Sequence, residues 1–151
     1  NPGETIELAG LAQILWPVHC VQNSPGAGFH PALDRSRIAA VFRKGTDPNV
    51  DSYSGFFDNG RRSSTGLDDY LKSQGVSDVY VCGLATDYCV KATALDAVGL
   101  GYRTCLVQEA CRGVNLRPGD VQQAIDAMRA AGVVILTTHP PWDHSPSDCN
   151  K

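Results

Sequence analysis

Along the chain the apolar residues switch between two spacings. Asp78 to Cys82 (DVYVC) is a short, β-rich apolar run, extended by Gly83 and Leu84. Immediately after it, Val90, Ala94, Ala97 and Val98 recur at i, i+4, i+7 and i+8, the spacing of a buried helix face. A strand from Arg103 to Gln108 follows, then a turn from Arg112 to Gly119. Val121, Ala124, Ile125 and Met128 share one face of a helix predicted over 120–130, and Gly132 admits a last strand over 133–138. Upstream, Ile38 to Phe42 is strand-like. A loop rich in Asp, Pro, Asn, Ser and Gly runs from Thr46 to Ser64, and a helix is predicted over 66–74 with Gly75 as its stop. Asp68 and Asp69 are favourable charges for the start of that helix. Residues 1–15 are expected to be an irregular lead-in and residues 140–151 a surface tail, so one domain is expected over 1–151.

Strand, helix, strand, helix, strand is the pattern of βαβ units around a parallel sheet, an α/β fold. The continuous apolar strands agree, because such a sheet is covered by helices. Ligands bind such sheets beyond the carboxyl ends of the strands. Lys44, closing the run 38–42, and residues 84–89 therefore fall on one rim.

At 42% hydrophobic and 19% charged residues, with a net charge of −3, the chain has an ordinary globular composition. It has no basic footprint for nucleic acid or an anionic membrane surface. No apolar run reaches the roughly 20 residues of a membrane-spanning helix, and the first residues do not resemble a signal peptide. A cytoplasmic location is expected. The six cysteines are expected to be free and mostly buried, with Cys82 and Cys105 inside strands. His139, His144 and Cys149 match no compact zinc spacing, and the glycines around Gly83 do not form a dinucleotide fingerprint.

Cys89 is the residue that most changes this picture. It is predicted in the first turn of a helix that starts where a buried strand ends. Unpaired N–H groups and the positive end of the helix dipole favour thiolate over thiol there. A thiolate is the nucleophilic form of cysteine, so cysteine-dependent acyl transfer is the leading chemistry.

The runs GLATDYCVKATALDA (83–97), VFRKG (41–45), WPVHCVQNS (16–24) and VDSYSGFFDNGRR (50–62), with the CRGVN turn (111–115), resemble the nicotinamidase branch of the isochorismatase-like cysteine hydrolases. The resemblance covers about 16–138. It implies a Rossmann-like three-layer fold with a mostly parallel sheet, whose central N-terminal strands are missing from this chain. It also implies hydrolysis of nicotinamide to nicotinate and ammonia through a cysteine thioester, in NAD salvage, with pyrazinamide also accepted. Cys89 matches the nucleophile and Lys44 the triad lysine. Leu84–Ala85 matches a cis peptide that aims the Ala85 N–H, with that of Cys89, at an oxyanion. Trp16, Tyr53, Leu84 and Tyr88 match walls of a ring-binding pocket. His19 matches one ligand of a divalent metal (zinc, iron or manganese), so the implied partners are a small-molecule amide substrate and that ion.

The family's catalytic aspartate and its remaining metal ligands have no counterpart here. The resemblance therefore implies the C-terminal part of a longer protein, inactive by itself and completed by an N-terminal segment of that protein, with a homo-oligomer as an open option. Two other readings stay open: a related amidohydrolase of the same superfamily, and a flavodoxin-like module without catalysis.

Overall fold

The computed structural model describes residues 1–137. Its centre is a parallel sheet of three strands in chain order, β3 (Asp78–Leu84), β4 (Arg103–Arg112) and β5 (Val134–Leu136). The crossovers are α2 (Lys91–Gly99) and α3 (Asp120–Ala130). The expected boundaries of these strands and helices agree to within a residue or two, except at the end of β4. There Val81 pairs with Leu106 but Gly83 with Cys111, so β4 makes a large bulge between the two pairs. The polar stretch Gln108–Glu109 hides this continuation from a reading based on apolar runs. Gly119, at φ 96°, lets the chain enter α3.

The main core lies between the sheet and the helices. Leu106, Ala94 and Met128 are fully buried, packed with Val81, Val90, Ile125 and Val133. A second cluster, Phe56 with Ala97 and Tyr102, joins the loop 46–66 and α1 (Leu67–Ser73) to the same helix α2. On β3 the alternate residues Tyr80, Cys82 and Leu84 are exposed, so a three-layer arrangement is not complete among the described residues.

Three expectations need correction. Residues 1–15 are not irregular: β1 (Thr5–Leu8) and β2 (Leu11–Ile14) form an antiparallel hairpin. Its two-residue turn, Ala9 (φ 52°) and Gly10 (φ 74°), has the left-handed pair whose twist matches a tight hairpin. The run 38–42 is not a strand. A strand exists only with a hydrogen-bonded neighbour, and none of the described strands lies beside this segment, which leaves Ile38 and Val41 exposed. The cysteines also differ: Cys105 is disulfide-bonded, while Cys20 and Cys82 are exposed thiols and Cys111 a buried one. The expected tail, with His139, His144 and Cys149, lies outside the described residues.

Candidate active site

At the carboxyl end of β3 the chain turns through one π-helical turn, Thr86–Val90, before α2 begins. This turn, rather than the first turn of a regular α-helix, carries Cys89. Its tyrosine and valine N–H groups both return to the Ala85 carbonyl, Val90 in the wider i→i+5 pattern. The Leu84–Ala85 peptide at its entrance is cis. Buried Asp87 braces the turn from behind: its two carboxylate oxygens accept the backbone N–H groups of Val114 (2.9 Å) and Asn115 (2.7 Å). Thr93 adds a hydroxyl bond to the Cys89 carbonyl at 2.7 Å.

The second cluster of chemistry comes from the loop-rich first half. Lys44 Nζ donates to the Ser52 carbonyl at 2.5 Å and to Cys89 Sγ at 3.4 Å. An ammonium beside sulfur stabilises negative charge there. Among the described residues no carboxylate hydrogen-bonds Cys89.

A cavity of about 500 Å³ opens over this pair. All eight residues singled out from sequence line it: Trp16, His19, Lys44, Tyr53, Leu84, Ala85, Tyr88 and Cys89. The Tyr88 ring meets Trp16 edge-on at 4.7 Å and Tyr53 at 5.5 Å. Trp16 Nε1 donates to the Tyr53 hydroxyl at 3.1 Å. Burial, reinforced by Asp51 and opposed by that indole N–H, pushes the Tyr53 phenol up to about 12, so it stays protonated through the physiological range. Burial and the adjacent Asp87 likewise raise Tyr88. The result is an apolar aromatic wall of a size suited to a flat ring.

Sequence reasoning missed Cys20, Asp51, Ser52 and Val114, which also line the cavity. It also missed Gln13, the buried residue that joins the hairpin to the Lys44 loop. Gln13 donates to the carbonyls of Leu8 and Asn49, both at 3.0 Å, and accepts the Asp51 N–H at 2.6 Å. A polar residue opposite a turn gives no signal until its partners are known.

The described residues do not make a metal site by themselves. His19 is exposed, with Nδ1 2.6 Å from the Pro17 carbonyl, and no group of three histidine, cysteine or acidic side chains able to hold an ion exists among the described residues. Nor, among them, is any helix long and apolar enough to cross a membrane.

The isochorismatase domain family matches residues 9–140. Escherichia coli nicotinamidase is 55% identical over 137 residues, which are 91% of this chain and 63% of that protein. The yeast nicotinamidase Pnc1p bound to the inhibitor nicotinaldehyde superimposes with a TM-score of 0.84 at 28% identity, over 91% of this chain and 69% of the other. A Pyrococcus horikoshii pyrazinamidase in complex with zinc gives 0.70 at 40% identity, over 82% and 63%. The chain thus spans just under two thirds of the length of the E. coli relative.

Proposed function

This chain belongs to the isochorismatase domain family, and we propose that the protein carrying it hydrolyses the carboxamide of nicotinamide to nicotinate and ammonia. The observation that carries the reading is Lys44 Nζ at 3.4 Å from Cys89 Sγ, at the floor of an aromatic-walled cavity. The names of the similar proteins support the substrate class, nicotinamide-like amides, pyrazinamide included.

In this mechanism the flat ring lies against Trp16, Tyr53 and Tyr88, and the amide carbon is presented to Cys89. The sulfur attacks that carbon, the C–N bond breaks, and the nitrogen leaves as ammonia carrying the proton that the thiol gave up. Water then cleaves the thioester to release the acid and the thiol. Lys44 supplies the positive charge for the thiolate, and the Ala85 and Cys89 N–H groups serve the oxyanion. Among the described residues no carboxylate touches the thiol to take its proton, so the 151 residues alone are expected to be inactive. A zinc-bound relative makes a divalent ion a reasonable component of the complete protein, where His19 would be the one ligand this chain contributes.

The test is ammonia release from nicotinamide by the full-length protein. Cys89→Ala should reduce it to background, and Lys44→Met should lower kcat by about 10²–10³-fold, the loss typical of one charge-stabilising group. Turnover that survives Cys89→Ala would exclude the reading.

A further inference from the structure

Behind the nucleophile turn, the strap 113–116 leads from β4 to α3 and delivers one side chain to the cavity. Val114 lines that cavity and keeps 46% of its surface exposed, so it is open to a ligand. The strap is held tightly. Asp87, only 4% exposed, takes both of the N–H bonds described above. Gly113 is pressed so closely that a Cβ there would sit 2.1 Å from Val121 Cγ2 and 3.2 Å from Asp87 Oδ1. Asn115 adopts a left-handed φ of 55° and its side chain accepts the Val121 N–H at 3.3 Å. A residue fixed this firmly is a rigid wall rather than a mobile cover.

We infer that Val114 is a specificity-determining residue of the amide site, limiting substituents on the substrate ring, and that Asp87 is its positioning residue. The inference rests on the proposed function and deepens it: the preferred substrates are amides whose ring is bare on the edge facing Val114. The physical basis is ordinary. A rigid β-branched side chain facing a ring edge obstructs a methyl added at that edge, whereas alanine would relieve the obstruction. Asp87 is suited to its role because an ionised carboxylate can accept two backbone N–H bonds at once, one per oxygen.

The experiment compares kcat/KM of the full-length protein for nicotinamide and for nicotinamides methylated at each ring carbon. Val114→Ala is expected to raise the ratio of methylated to bare substrate about 10-fold at one ring position, the scale of one methyl in an apolar pocket. Val114→Ile should lower the same ratio, and it preserves β-branching and volume well enough to guard against a folding artefact. Asp87→Asn has one acceptor oxygen and should relax selectivity at that same position. Ratios that stay flat in both Val114 variants, with nicotinamide still consumed, overturn the assignment of Val114. A uniform loss over all amides in Asp87→Asn overturns its positioning role. No turnover of nicotinamide by the unaltered protein would instead remove the proposed function and this inference with it.

Discussion

The two halves of the molecule are built by different means. Residues 78–137 form a sheet and helices whose apolar periodicity is local and whose core is mainly apolar, around Leu106, Ala94 and Met128. Residues 1–66 contain a small hairpin and long irregular chain, held by side-chain bonds to backbone: Gln13 to Leu8, Asn49 and Asp51, Asp58 to the N–H groups of Arg62 and Ser63, Thr65 to Gly55. Cys89 comes from the first kind of structure, Lys44 and most of the aromatic wall from the second. A sulfur on a rigid turn is thereby faced by groups on a segment with far fewer buried apolar contacts. The precision of the site then depends on a few polar clamps, which is where it should be easiest to damage without unfolding the protein.

That contrast can be broken most strongly from the sheet side. Met128→Ala leaves a cavity in the fully buried core and should cost about 2–5 kcal/mol, read as a lower urea midpoint with loss of the whole fold. Gln13→Ala attacks the other half. It removes the three part-buried hydrogen bonds that Gln13 makes, at about 1–3 kcal/mol. Hydrogen exchange should quicken in residues 5–14 and 49–53 and stay unchanged in β3 to β5. KM for the amide should rise more than kcat falls. Equal acceleration of exchange in the sheet would mean that the two halves are one cooperative unit.

The smallest effect tests the seam between the halves. Tyr102, just before β4, donates to Asp68 Oδ1 of α1 at 2.7 Å, and Tyr102→Phe should cost about 1 kcal/mol at neutral pH. The Lys72 and Tyr102 hydrogen bonds hold the Asp68 carboxyl below its ordinary range. Its contribution is therefore present above the unfolded value of about 3.9 and lost as pH falls through the folded one. Burial, with the Asp68 carboxylate next in effect, pushes Tyr102 up to about 12. That contribution is complete below the unfolded value of about 10 and lost as pH rises towards 12. The stability difference between the parent and Tyr102→Phe should accordingly be a plateau across neutral pH that declines at both ends. A difference independent of pH would show that the bond is not what the substitution removes.

Much of this was legible in the amino acids alone. The strands β3 to β5 and the helices between them follow from apolar spacing, because each element buries a face defined within its own length. The position of Cys89 at the end of a strand is equally local. The Ala9-Gly10 turn is less so, because alanine at φ 52° has no left-handed preference and the flanking strands are short and half polar. The run 38–42 had the composition of a strand and lacked a neighbour to pair with, which no local pattern reports. Gln13, Asp87 and Val114 were invisible for a related reason: their roles exist only through partners between 27 and 38 residues away.

The sequence by itself thus determined the strands β3 to β5, their crossovers and the residue types able to do thiol chemistry, since periodicity, turn residues and a cysteine at a strand end are written within short windows. Only the tertiary structure decided that Lys44 reaches Cys89, that Trp16 and Tyr53 close over Tyr88, and that the strap at Val114 is clamped by a buried carboxylate. Those are contacts between segments distant in the chain, set by how the loop half folds back onto the sheet, and no window of sequence contains both partners.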